Sequence, residues 1–296
     1  MVISYNYTKT RQRATDLKVV ILGGNGYLGE KLGKELFRNG MSVYSVVRKK
    51  IPQDWTKEVW DYDELLLKLG THKIDYMVNC ITKYERGNVT DIDVLEANYL
   101  KPFWCFMQGI QTGINKYMTM DTGLSIDCNM YSRSKKQLAD SMEWKLNEQF
   151  GQSGYVFWNI QLENFYGADE PSERFLLNTI CKLRQNEKVM LTEGKQRRDF
   201  IYIDDVVNNL AKILSIPTQG RVNLPLGTGE GISIREAITY LKEVTNSDSE
   251  LVFGAIPSRK VEPDSIADTF LMKKFGLSIR YDWKNGFKHL VDELRT

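Results

Sequence analysis

The chain has 296 residues, 42% of them hydrophobic, with 40 basic side chains against 38 acidic ones. That is enough apolar material for one large domain or two closely joined ones. The near-zero net charge, with no block of one sign, argues against nucleic acid or an anionic membrane as the main partner, and no run of about 18 apolar residues offers a spanning helix.

Residues 1–16, MVISYNYTKTRQRATD, carry basic side chains but no apolar run behind them. They read as a peripheral extension and not as a secretory signal. "LKVVIL" is then a buried parallel strand. It ends in the glycines of "GGNGYLG", which open a helix to about Asn39, with Gly40 as its C-cap. "SVYSVV" is the second strand, "KEVW" a short third, "DELLLKLG" a helix and "IDYMVNC" the fourth strand. A helix follows over about 91–111, with Pro102 as a point of kinking. "KYMTM" is the fifth strand, 131–150 a helix, and "YVFWNIQLEN" the sixth strand. Strands alternating with helices predict a parallel sheet covered on both faces.

Beyond about residue 165 the alternation loosens. A helix over 173–185, the strands "VML" and "RDFIYI", a helix over 204–214, the strand "RVNLPLG", a helix capped by Ser233 and Glu236, "ELVFGA" and two closing helices suggest a smaller α/β region against the sheet. The expected division is an extension (1–16) and a nucleotide-binding domain (17–165, with a return strand and helix near 198–216). The rest, 166–197 and 217–296, is a substrate region.

Cys80, Cys105, Cys128 and Cys181 stand far apart without a Cys-x-x-Cys pair, which suits reduced thiols in a cytoplasmic protein. His72 and His289 are the only histidines and neither has metal-ligand spacing, so no metal site and no histidine-based triad is expected. Acid–base chemistry must use other side chains.

Gly23, Gly26 and Gly29 form G-x-x-G-x-x-G where the first strand meets the first helix. Glycine allows the tight turn and the close approach of a pyrophosphate, and the helix N-terminus favours its charge. Dinucleotide binding is therefore expected at Gly23, Gly26, Tyr27, Leu28 and Gly29, with Tyr27 packing on the cofactor's edge or in the core. The second strand ends in "VVRKK", with no carboxylate to accept from ribose hydroxyls. Arg48 there can clamp a 2′-phosphate, which favours NADP(H) over NAD. Asp61, after the third strand, is a candidate adenine contact.

Tyr-x-x-x-Lys occurs three times, at Tyr5–Lys9, Tyr27–Lys31 and Tyr131–Lys135. Only the last opens a helix after the fifth strand, with Thr122 just upstream. In this the chain resembles the short-chain dehydrogenase/reductase superfamily, and its length and glycine spacing resemble the extended branch. The resemblance implies a Rossmann-like fold: α/β, a doubly wound parallel sheet with a smaller C-terminal α/β substrate-binding region. It also implies Tyr131, Lys135 and Thr122 as catalytic residues. Lys135 would hold the nicotinamide ribose and favour the phenolate of Tyr131, and Thr122, or else Ser125, would orient the substrate oxygen.

"QRRDFIYIDDVV", "QLENFYGAD" and "AIPSRKVEPDSIADTFLMKKFGL" are similar to segments of nucleotide-sugar epimerases, dehydratases and reductases. The match implies Arg198 and Arg259 on the substrate diphosphate and Asn164 in the sugar pocket, while Gln161 and Ala168 depart from the usual Arg and Pro. "RDFIYIDDVV", "LGTGEGISIREAI" and "VFGAIPSR" are most like abequose synthase-type 4-ketoreductases of deoxysugar and surface polysaccharide biosynthesis. The expected activity is NADPH-dependent reduction of the C4 ketone of a nucleotide-linked 4-keto-6-deoxy or 3,6-dideoxy hexose. The alternatives are a 4-epimerase or dehydratase using NAD, and, less favoured, a non-catalytic NADP-binding regulator. "DTGLS" lacks the Asp-Glu that follows the hydroxyl residue in dehydratases. A homodimer through the helices over 91–111 and 131–150 is expected from the apolar residues Leu95, Phe103, Trp104, Phe106 and Met107.

Overall fold

A computed structural model of the chain describes residues 17–258 and 262–294. The Tyr5–Lys9 pair, the extension 1–16 and Arg259 lie outside the described residues.

Seven parallel strands form the central sheet. They are β1 (Lys18–Leu22), β2 (Ser42–Val46), β3 (Glu58–Trp60), β4 (Tyr76–Asn79), β5 (Lys116–Thr122), β6 (Val156–Leu162) and β10 (Gly220–Leu226), in the order β10-β6-β5-β4-β1-β2-β3. Alternate residues of β1 enter different layers: Val19 and Ile21 join one apolar cluster, Val20 and Leu22 the other. That is what a strand covered on both faces requires. Helices α1 (Tyr27–Arg38) and α7 (Ile203–Ile213) cover the first face through Leu28, Leu32, Leu36, Val206 and Leu210. On the second face lie α2 (Leu65–Thr71), α4 (Lys101–Gln111) and α5 (Met130–Phe150), which supply Leu65, Leu69, Cys105, Phe106, Leu138 and Met142. The strand order reverses between β1 and β4, and in open α/β sheets the crevice at that switch point is where ligands bind.

The expected doubly wound sheet is present, with one correction of topology. The strand that returns to it is β10, within the expected substrate region, and not the segment near 198. The segment at 197–202 is instead β9 (Arg197–Tyr202), the middle of a separate small sheet between β7 (Asn164–Tyr166) and β11 (Gly231–Ser233). Both segments read as apolar strands in sequence, and only pairing tells them apart: β10 lies parallel to β6 along all seven of its residues, from Gly220↔Val156 to Leu226↔Leu162. A third sheet pairs β8 (Val189–Leu191) with β12 (Leu251–Phe253). Helices α6 (Phe175–Arg184), α8 (Ile234–Thr245), α9 (Phe270–Lys274) and α10 (Trp283–Glu293) complete the described C-terminal half.

The helix expected over 91–111 is built in three pieces: α3 (Asp91–Leu95), a π-helical turn over Glu96–Leu100, and α4. Pro102 falls in the first turn of α4. It has no N–H to give residue 98, and its ring crowds that carbonyl. The irregularity thus appears as a wider turn just before the proline, and it carries Asn98, fully buried, against Lys83 in the loop after β4.

Candidate active site

At the switch point the C-terminal ends of β1, β4, β5 and β6 frame a cleft of about 490 Å³. Its lining includes Gly26, Tyr27 and Leu28 on one side, Thr122 and Tyr131 on another, and Glu163, Asn164 and Ser265 on a third. Residues more than a hundred positions apart in sequence therefore share one chamber.

The glycine loop fits a dinucleotide's pyrophosphate. Gly23 holds φ +80°, a conformation that favours glycine, and its carbonyl accepts from the Gly26 N–H at 2.9 Å. A Cβ on Gly29 would lie 2.3 Å from the Gly23 carbonyl oxygen, so helix and loop close up only with glycine there. The N-cap of α1 is Gly26, and no side chain caps that helix end. Its first N–H groups are left for an anion. Tyr27 stacks on Phe165, ring centroids 6.2 Å apart, and borders both the core and the cleft.

Arg48 is exposed just past the end of β2, and Asp61 follows β3, so adjacent strands bring them to the same end of the sheet. Asp61 Oδ1 accepts from the N–H groups of Asp63 (3.1 Å) and Glu64 (3.0 Å), and Oδ2 lies 3.5 Å from the Lys50 ammonium. These bonds to the turn entering α2, and then Lys50, hold its carboxyl below the usual range. Lys50 is tied to Asp61 and Glu64, whereas Arg48 is exposed to solvent.

The start of α5 is fixed by a capping box: Asn129 Oδ1 accepts from the Ser132 N–H at 2.8 Å, and Ser132 Oγ accepts from the Asn129 N–H at 3.3 Å. Glu85, from the loop after β4, accepts from the Tyr131 N–H at 2.9 Å. The Tyr131 ring packs on Tyr84, centroids 5.1 Å apart. Burial, reinforced by Tyr84 and Asp121, pushes the Tyr131 phenol well above its ordinary value, opposed by Arg174 and a hydrogen bond with Thr122. One helical turn on, Lys135 is only 1% exposed. Its ammonium donates to the Ile81 carbonyl and to Thr82 Oγ1, each at 2.8 Å. Burial lowers it to about 8, against the supporting charge of Asp121. Thr122 Oγ1 accepts from the Leu124 N–H at 3.2 Å, and Thr122 lines the cleft beside Tyr131; Ser125 does not line it.

On the remaining wall, Asn164 lines the cleft, and Arg198 stands behind it, bridged to Ser265 in a short parallel pairing. Arg198 Nη1 donates to the carbonyls of Pro263 (2.6 Å) and Arg197 (2.9 Å). Ser265 Oγ donates to Glu163 Oε2 at 2.6 Å, and burial raises the Glu163 carboxyl to about 7.

Several site residues escaped the sequence reading. Asn98 is one: its carboxamide accepts from the Lys83 N–H at 2.7 Å and donates to the Lys83 carbonyl at 2.9 Å. It thereby clamps the strand of chain whose preceding residues hold Lys135. The available signal was an asparagine amid the apolar residues of that helix. Glu163, Arg86 and Arg174 also face the cleft; a glutamate at the end of an apolar strand was the one visible hint. Among the described residues no group of three or more His, Cys, Asp or Glu could hold a metal ion, and no helix is long and apolar enough to cross a membrane.

Residues 109–224 match the NAD dependent epimerase/dehydratase family. The chain is similar to the CDP-abequose synthase of Salmonella typhimurium, 26% identical over 93% of this chain and 98% of that one. It is also similar to the UDP-glucose 4-epimerase of Lactobacillus helveticus, 24% identical over 95% and 96%. Its fold is shared with MoeE5 in complex with UDP-glucuronic acid and NAD, at a TM-score of 0.81 and 20% identity over 94% of this chain and 99% of that one. The UDP-glucose 4-epimerase of Thermotoga maritima with UDP-glucose has it too, at 0.79 and 18% over 94% and 99%. The chain thus shares with these structures a Rossmann-like fold built on a seven-stranded parallel sheet, as its strand–helix alternation implied.

Proposed function

From this family match we propose that the protein is an NADPH-dependent reductase of a nucleotide-linked 4-keto-6-deoxy or 3,6-dideoxy hexose. One observation carries the reading: Tyr131 and Thr122 meet in the same cleft as the uncapped glycine loop, with Lys135 buried one turn below. The cofactor, when bound, supplies hydride to the C4 carbonyl carbon. Gly23, Gly26, Tyr27, Leu28 and Gly29 would hold its pyrophosphate side, Asp61 its adenine, Arg48 its 2′-phosphate, and Lys135 its nicotinamide ribose. Thr122 orients the ketone oxygen, and Tyr131 gives that oxygen a proton as it becomes an alkoxide; solvent restores the proton. A phenol held high by burial favours the protonated donor, and the lysine ammonium stabilises the phenolate left behind. Asn164, Arg198 and Arg259 would receive the sugar and its diphosphate.

The similarity to CDP-abequose synthases supports a reductase, and the basic end of β2 supports NADPH. The test is NADPH oxidation by purified protein with CDP-, dTDP-, GDP- and UDP-linked 4-keto sugars. Turnover with at least one is expected, and silence with all would reject the reading. NAD retained through purification, with epimerised product, would favour the 4-epimerase. Tyr131→Phe is expected to lower turnover about 10²–10⁴-fold with little change in NADPH affinity; full activity would remove Tyr131 from the chemistry.

The same reading includes a homodimer in a cytoplasmic setting. Of the five residues expected at the contact, Phe106 is buried in the core and Trp104 is exposed; with Ile92, Leu100 and Trp144, also exposed, it gives α3, the π turn, α4 and α5 large apolar side chains suited to a second copy. Sedimentation of the wild type and of Trp144→Glu tests it: a dimer is expected to become a monomer.

A further inference from the structure

Behind Thr122 lies a charge pair that the reaction as described does not use. Asp121, with a side chain only 1% exposed, faces Lys136 across 3.3 Å. Lys136 Nζ also donates to the Thr122 carbonyl at 3.0 Å. The Asp121 carboxylate accepts from the Thr122 N–H at 2.7 Å and from Asn159 Nδ2 at 3.1 Å. Asn159 in turn donates to Asn223, which accepts from Arg221. Both backbone groups of Thr122 are therefore held by one ion pair, which is anchored to β6 and β10. An isolated buried carboxylate would be costly, and removing either member of the pair leaves the other without its counter-charge.

We propose that Asp121 and Lys136 are positioning residues of this site. Together they fix the backbone that presents Thr122 and balance the charge behind Tyr131. The inference rests on the reductase reading above. Asp121 lines the cleft with Thr122 and Tyr131, so its charge reaches the reacting groups directly. The other groups that face Tyr131 are Tyr84, Glu85 and Arg86 from the loop after β4, Arg174 before α6, Glu163 after β6, and Lys135 on its own helix. Asp121 differs from them as an anion tied to a cation, Lys136, that is itself within hydrogen-bond reach of the Thr122 carbonyl.

The pair makes opposed predictions for its two members. Reduction needs Tyr131 protonated, so its rate falls on the alkaline side. Asp121→Asn leaves Lys136 unbalanced and is expected to move that limb about one pH unit lower. Lys136→Met leaves Asp121 unbalanced and moves it higher by a similar amount. The double variant D121N/K136M buries no charge, keeps the test open if a single variant folds poorly, and is expected near the wild-type limb. A merely structural role would lower activity in both single variants without opposed shifts. Shifts in one direction, no shift in either, or a double variant displaced as far as Asp121→Asn would overturn the proposal.

Tyr131 ionisation is read independently of turnover. The readout is the phenolate absorbance difference between each protein and its Tyr131→Phe counterpart, recorded with NADP⁺ and again with NAD⁺. Opposed phenolate shifts in a protein that reduces no 4-keto sugar would support the pair's role while removing the proposed activity.

Discussion

Lys135 and Thr82 lie 2.8 Å apart, ammonium to hydroxyl, joining α5 to the loop that leaves β4. The next residue of that loop, Lys83, has both its backbone groups held by the buried Asn98 carboxamide. Helix, loop and π turn therefore form one support under the Tyr131–Lys135 pair.

Asn98→Leu keeps the volume but leaves the Lys83 N–H and carbonyl without these partners. A loss of about 1–3 kcal/mol of stability is expected, with a fall in kcat larger than any change in NADPH affinity. Denaturant unfolding and steady-state kinetics together check it; unchanged kcat would reduce Asn98 to a packing residue.

Gly29→Ala places a Cβ 2.3 Å from the Gly23 carbonyl oxygen and 3.0 Å from Gly24 Cα, both backbone atoms. Loop and helix must part, at a cost of about 1–3 kcal/mol. Nicotinamide dinucleotide affinity should fall at least about tenfold, a loss of some 1.4 kcal/mol, measured by calorimetric titration. Undiminished affinity would place the pyrophosphate elsewhere.

Arg48→Ala removes the exposed guanidinium at the end of β2. The ratio of kcat/KM for NADPH over NADH should drop about tenfold or more, since a charge-assisted bond to phosphate is among the stronger hydrogen bonds. An unchanged ratio would assign the preference to another group.

Glu163 gives the protein a pH signature. Its carboxyl titrates at about 7 when folded, against 4.5 as the ordinary value. Between those values the folded state binds more protons than the unfolded one, so this group's contribution is complete below 4.5 and is lost as pH rises through 7. Glu163→Gln should therefore be more stable than the wild type at pH 8, with the difference vanishing in mild acid. Melting temperatures across that range test it; a constant difference would mean that Glu163 does not titrate there.

The local features of the chain were legible because they rest on near-neighbour physics. The glycine triplet, the apolar runs of β1, β4, β5 and β6, the helix from 130 to 150 and the capping box at Ser233 all appear where composition and spacing put them. Tyr131 was separated from two equally spaced Tyr–Lys pairs by its place in the strand–helix alternation. Pairing and enclosure were decided only in three dimensions. Strands β9 and β10 are alike as sequences, yet β10 enters the main sheet, because β6 offers it a full parallel edge. The convergence of Asn98, Glu163 and Ser265 on the site, and the tie between Asp121 and Lys136, depend on contacts across 15 to 102 positions. Backbone preference and hydrophobic period act over a few residues and are written in the sequence. Burial and charge balance are properties of the assembled interior, so the environments of Tyr131, Lys135 and Glu163 were set by tertiary structure.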